Sequence, residues 1–143
     1  MTYRLLRSKD DNDIPTILSA YNHPSISRFI SIDKENYWQY ITNTDNVYFY
    51  KIYKDSVFAA TIHLEINNRV LYLSVVVFPE YQNKGLATII INDIQSGKLG
   101  LEFDKIQISI DQNNLASIKL FENAAFICIG KDKELFEYEY QKS

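Results

Sequence analysis

Val75-Val76-Val77-Phe78-Pro79-Glu80-Tyr81-Gln82-Asn83-Lys84-Gly85-Leu86-Ala87 constrains this chain more than any other stretch. A β-branched run is stopped by Pro79, which has no N–H to give to a sheet ladder. Polar residues follow, then Gly85, and after it Leu86, Ile89, Ile90 and Ile94 recur at helical spacing. Thr88-Ile89-Ile90-Ile91 is β-branched and a poor intrinsic helix former. Helix is still expected, because a further strand would leave the polar loop 82–85 without a purpose. A strand, loop and helix in this order leave main-chain N–H groups unpaired at the helix start, which suits an anion. Gly85 lets a ligand approach the backbone with no Cβ in the way.

These residues carry a resemblance. Gln82-Asn83-Lys84-Gly85-Leu86-Ala87 resembles the Gln/Arg-x-x-Gly-x-Gly/Ala signature of the GNAT superfamily of acetyl-CoA-dependent N-acetyltransferases. The preceding Val-Phe-Pro-Glu-Tyr is similar to the strand and turn that lead into that signature. Without its context, a six-residue pattern is also compatible with an ordinary surface turn.

Size and charge narrow the field. A chain of 143 residues suits one domain, 1–143, with one core, and 46% hydrophobic residues are enough to fill it. Fifteen basic against 18 acidic residues give −3 with no basic stripe, which argues against nucleic acid as a partner. Cys128 is the only cysteine, so no internal disulfide is expected, and the first residues do not resemble a signal peptide. No apolar run approaches the roughly 20 residues of a membrane span. A cytoplasmic protein is therefore expected. No metal site is expected.

Before the central stretch, Thr2 to Arg7 reads as a first strand with Tyr3 and Leu5 on one face. Asp10, Asp11 and Asp13 supply helix-start chemistry, and Pro15 fits a first turn. Ile14, Ile17, Leu18 and Tyr21 then lie at i, i+3, i+4 and i+7 of an amphipathic helix, ended by His23-Pro24. Asp33 is the expected cap of a second helix through Tyr37, Trp38 and Ile41.

Val47–Tyr53 and Val57–Ile66 are aromatic and β-branched strands around the turn Lys54-Asp55-Ser56. Asn67-Asn68 tolerates positive φ and is the expected loop of the next hairpin. That register sets His63 opposite Tyr72, about 10 Å along the strand from Val75, and Glu65 opposite Val70, about 17 Å away. Alternation gathers Thr61, His63, Glu65, Tyr72 and Ser74 on one face, either for proton handling or as a partly solvated sheet surface. Ile62, Leu64, Leu71, Leu73, Val75 and Val77 take the other face.

Past the central helix, glycines between Ser96 and Gly100 offer a C-cap, and Lys105–Ile110 reads as a strand. A helix joins it to the strand ending at Phe78, so the two are expected to be parallel neighbours. Asn114-Leu115-Ala116-Ser117-Ile118-Lys119-Leu120-Phe121-Glu122-Asn123-Ala124-Ala125-Phe126 is a helix with Ile118, Leu120, Phe121 and Ala124 inward. It resembles the second GNAT pattern, Asn-x-x-Ala/Ser-x-x-Leu-Tyr-x-x-x-Gly-Phe, one strand after the first. Phe126–Ile129 and Leu135–Tyr140 are two last strands joined by residues 130–134, with Cys128 expected to be buried.

The resemblance implies a mixed α/β fold: a largely antiparallel sheet with one splayed parallel pair and helices on both faces. It implies acetyl-CoA as co-substrate, with its pantetheine arm along the main chain of Val75 and Val77. The diphosphate would lie on Gln82, Asn83, Lys84, Gly85, Leu86 and Ala87, and Asn114 and Phe121 would border the arm. The implied reaction is acetyl transfer to a primary amine by direct attack in a ternary complex. The alternative is a non-catalytic acyl-CoA sensor or scaffold. Homodimers are common in the family, although no residue here requires one. Two departures bear on mechanism. Phe121 stands where many members have a tyrosine acid, and Ser74 where many have a glutamate base. Ser74 and His63 are then the candidates for proton handling, His63 through one or two waters or else as a histidine satisfied by a neighbour. His23 and Glu80 read as turn residues.

Overall fold

The computed structural model describes residues 1–33 and 35–142. Its elements are β1 (Thr2–Leu5), α1 (Ile14–Tyr21), α2 (Pro24–Ser27), α3 (Tyr37–Asn43), β2 (Val47–Lys54), β3 (Val57–Asn67) and β4 (Val70–Val77). A 3₁₀ turn over Pro79–Tyr81 leads to α4 (Leu86–Gln95), β5 (Lys105–Asp111), α5 (Leu115–Asn123), β6 (Ile127–Asp132) and β7 (Leu135–Gln141). The strands form one mixed sheet in the order β1-β2-β3-β4-β5-β7-β6. The fold class is therefore the expected one, with β4 and β5 parallel and β1–β2, β5–β7 and β6–β7 antiparallel.

Backbone contacts divide the chain into two units. The first holds Met1–Leu64 and Val75–Lys84; the second holds Glu65–Ser74 and the chain from Gly85 onward. In the first, α1 to α3 bury Ile14, Ile17, Tyr21, Ile26, Trp38 and Ile41 with Leu6, Val47, Phe49, Val76 and Phe78. Ile17 and Phe49 are fully enclosed, each worth at most about 1.5–3 kcal/mol of transfer free energy. Leu6, predicted to face away from Tyr3 and Leu5, is the buried one of the three.

Two local expectations fail here and a third is extended. Asp13 is the N-cap of α1 but makes no capping bond. It accepts instead from Lys51 and Tyr53, each at 2.9 Å, while Asp11 also takes Lys51 at 2.9 Å. Asn36, not Asp33, holds the N-cap position of α3, without a side-chain capping bond; Asp33 accepts from the Glu35 N–H and the Asn36 amide. His23 does more than end α1: it caps a short helix, α2, its Nδ1 accepting from the Ser25 N–H with Pro24 at the first position.

The hairpin between β3 and β4 turns on Asn68 and Arg69, both at positive φ, one residue later than expected. Phe78 donates to the Ala59 carbonyl at 2.9 Å. In the first unit Thr61 therefore stands opposite Val76, and in the second Glu65 stands opposite Tyr72. His63 moves to within one residue step of the level of Val75, about 3.4 Å along the strand rather than 10 Å.

In the second unit the parallel ladder joins Val70, Leu71 and Tyr72 to Lys105, Ile106 and Gln107. Leu86, Ile90, Ile91 and Ile94 form the buried stripe of α4, with Ile89 turned outward. On α5 only Phe121 is buried; Ile118, Leu120 and Ala124 are half-buried. β6 and β7 are longer than expected and meet in a tight turn at residues 133–134. β6 is an outer strand of the sheet, so Cys128 is exposed rather than buried. Among the described residues, no helix is long and apolar enough to cross a membrane.

Candidate active site

The central stretch folds as its residue types demand. β4 ends at Val77, Pro79 opens the 3₁₀ turn, and Gly85 enters α4 with φ +77°, a left-handed conformation that an L side chain resists. A Cβ built on Gly85 would meet no protein atom within 4 Å, so the space over this residue is open. Gln82 N–H returns to Pro79, and the next main-chain donor with a protein acceptor is Ile89, bonded to the Gly85 carbonyl. Among the described residues, the N–H groups from Asn83 to Thr88 therefore donate to no protein oxygen. Those of Leu86, Ala87 and Thr88 belong to the first turn of α4 and point out of its positive end. Lys84 is exposed, its ammonium 6.0 Å from the centre of the Tyr81 ring.

In the first unit the outer half of β4 is half-buried at Val75 and Val77 and buried at Val76. Phe78 and, by alternation, Val76 direct their polar groups to β3, so those of Val75 and Val77 turn away from it. The Val77 carbonyl is taken by Gln82 Nε2 at 3.0 Å. Val75 N–H and C=O and Val77 N–H likewise point away from β3.

The polar face of β3 is covered by helical tyrosines. Tyr21 and Thr61, both buried, share a 2.7 Å hydrogen bond, and the burial pushes the Tyr21 phenol up to about 12. The Tyr37 hydroxyl meets His63 Nδ1 at 2.5 Å, with the rings packed together. Local patterning gave no sign of Tyr37, because the contact joins residues 26 apart. In the second unit Ser74 is exposed on β4. Asn114 is the N-cap of α5, its Oδ1 accepting from Ser117 N–H. Phe121 is buried edge-on against Phe126, with ring centres 5.1 Å apart. Tyr138 donates to Glu122, and burial together with that carboxylate raises its phenol as well. Tyr50 and Tyr53 are also raised, chiefly by burial. These four phenols are thus poorer acids than an ordinary tyrosine.

The sequence pattern of the Acetyltransferase (GNAT) family matches residues 14–126. The chain belongs to that family. It is an acyltransferase, and acetyl-CoA is the acetyl donor of the family. Solved structures agree on the fold. A domain from Methanocaldococcus jannaschii superposes with a TM-score of 0.80 at 18% identity, covering 98% of this chain and 97% of that one. N-acetyltransferase PseH of Campylobacter jejuni, in complex with acetyl coenzyme A, gives 0.78 at 15% identity, covering 99% and 100%. A variant of the spermidine N-acetyltransferase SpeG of Vibrio cholerae gives 0.79 at 18% identity, covering 100% and 96%. No curated protein matches the chain by sequence. For a GNAT protein the donors left over at Asn83–Thr88 and the open space above Gly85 fit the diphosphate of acetyl-CoA, an anion that needs N–H groups and close approach.

Proposed function

We propose that this chain, working as one domain, transfers the acetyl group of acetyl-CoA to a primary amine by direct attack within a ternary complex. The observation that carries the reading is the run of main-chain N–H groups from Asn83 to Thr88 with no protein acceptor, entered through a left-handed Gly85. Gln82 to Ala87 hold the diphosphate, and the helix end adds about 0.3–1 kcal/mol at an exposed site. The main chain of Val75 and Val77 lines the pantetheine arm, while Asn114 and Phe121 border it. When bound, acetyl-CoA supplies a thioester carbonyl and a thiolate leaving group.

The chain's own residues handle the proton. An ammonium cannot attack, so the acceptor must lose a proton. His63 is assigned to receive it: an imidazole ordinarily titrates near neutrality, and His63 lies within one residue step of the level of Val75. Tyr37 fixes the ring through Nδ1. Ser74 anchors one end of the water path by its hydroxyl and is no base itself. Phe121 has no proton to return to sulfur. A thiol of pKa about 8.5 leaves acceptably without one, so the reaction proceeds at reduced rate. SpeG acts on spermidine; for this chain the acceptor class is a primary amine, small or on a protein.

The test is thiol release from acetyl-CoA across a panel of amines, with coenzyme A affinity measured on the same protein. Amine-dependent release supports the reading. Tight binding without release for any amine favours an acyl-CoA sensor, and no binding refutes the site.

A further inference from the structure

We propose that Gln82 is a positioning residue whose side chain ties α2 to the last carbonyl of β4 and so sets the coenzyme-binding loop. The inference rests on the proposed location of the coenzyme along Val75 and the loop that begins at Gln82.

A glutamine amide has two N–H donors, and both are used here. One reaches the Val77 carbonyl at 3.0 Å, the other Ser25 Oγ on α2 at 3.3 Å. Ser25 in turn lies 2.9 Å from His23 Nδ1, which also accepts the Ser25 N–H at 3.1 Å. Because Nδ1 accepts the Ser25 N–H, the Ser25 hydroxyl can only donate to it, and donation runs from Gln82 to Ser25 to His23. His23 caps α2, whose Ile26 is buried in the core with Val76 and Phe78. The chain of bonds therefore anchors the loop's first residue to a packed element.

The consequence for the coenzyme is electrostatic. The Val77 carbonyl turns away from β3, at the end of β4 next to the loop assigned to the diphosphate. Left bare, its lone pairs would face an anion. The Gln82 amide covers them and presents no negative charge. An arginine at 82 offers the same donors, and this accounts physically for a signature that accepts either residue. A glutamate has none.

The experiment is calorimetric titration of coenzyme A into the intact protein, Gln82→Ala, Gln82→Arg, Ser25→Ala and the Gln82→Ala/Ser25→Ala pair. Melting of each unliganded protein is followed in parallel. Gln82→Ala is expected to weaken binding about threefold to tenfold, the scale of one or two neutral hydrogen bonds. It should raise the KM for acetyl-CoA with kcat unchanged. Gln82→Arg restores affinity to within about twofold of the intact protein, and Ser25→Ala weakens it less than Gln82→Ala does. The double variant is no worse than Gln82→Ala alone, because both changes break one connection. Unchanged affinity in Gln82→Ala, failure of arginine to restore it, or additive losses in the pair would each overturn the proposal while leaving the coenzyme site standing. Absence of binding by the intact protein would overturn both.

Discussion

Replacing Gly85 by alanine separates the backbone's need for glycine from the ligand's. At φ +77° an alanine carries left-handed strain of about 1–2 kcal/mol. Its methyl group meets no protein atom within 4 Å, so no steric term is added. For a chain of 143 residues that strain lowers Tm by about 3–7 °C. The same methyl group would occupy the open space assigned to the diphosphate. A displacement that loses two or more charge-assisted hydrogen bonds costs about 3 kcal/mol or more, a fall in coenzyme A affinity on the order of a hundredfold. Gly100→Ala is the control: its φ of +72° and open surroundings give similar strain, with no ligand assigned to it. Calorimetry and thermal melting of the three proteins read both quantities. If Gly85→Ala and Gly100→Ala both lose stability but bind coenzyme A as the intact protein does, the diphosphate does not sit on Gly85 and the reasoning fails.

The Lys51 ammonium, enclosed between two carboxylates, gives a stability prediction. Lys51→Met should cost about 1–3 kcal/mol in urea unfolding, less than a fully buried pair because the Asp13 side chain is 36% exposed. The hydrogen bond from Lys51 holds the Asp13 carboxyl below its ordinary 3.8. Its stabilisation is therefore complete above pH 4 and lost as pH falls through the lower folded value, and the variant should show a flatter acid limb. Equal acid sensitivity in both proteins would contradict this. His63→Gln should slow acetyl transfer by about 10²-fold or more at unchanged coenzyme A affinity. An unaltered rate would remove His63 from proton transfer. Phe121→Tyr should raise turnover at least about tenfold where protonation of the thiolate limits the rate; no change would mean that another step limits it.

The elements that local chemistry governs were readable before any coordinates. The strand stopped by Pro79, the hairpin strands and the helix after Asn114 follow from periodicity and turn residues, while the helix after Gly85 is expected against the propensity of 88–91. Where the sequence misleads, one cause is a side chain that bonds far along the chain. Asp13 has the chemistry of a cap, but Lys51 and Tyr53, some 40 positions on, outcompete a backbone N–H. Asn67-Asn68 and Asn68-Arg69 are both credible turns, and the choice depends on which register buries the right face. That two-residue shift relocates His63 relative to Val75. The α2 helix was hidden by its brevity, although His23-Pro24-Ser25 contains both its cap and its first turn. Cys128 reads as buried because its neighbours are apolar, yet β6 has a strand on one side only. The Gln82 and Tyr37 contacts were invisible for the same reason as Lys51, since pairing across many residues leaves no periodic trace.

Amide resonances of residues 83–88, followed by ¹⁵N-resolved NMR during titration with coenzyme A and with its dephosphorylated pantetheine fragment, test the binding assignment most directly. The account predicts large shifts and slowed hydrogen exchange across these amides with coenzyme A, and much smaller changes with the fragment that lacks the diphosphate. Saturable binding of coenzyme A that leaves the amides of 83–88 unmoved would contradict it.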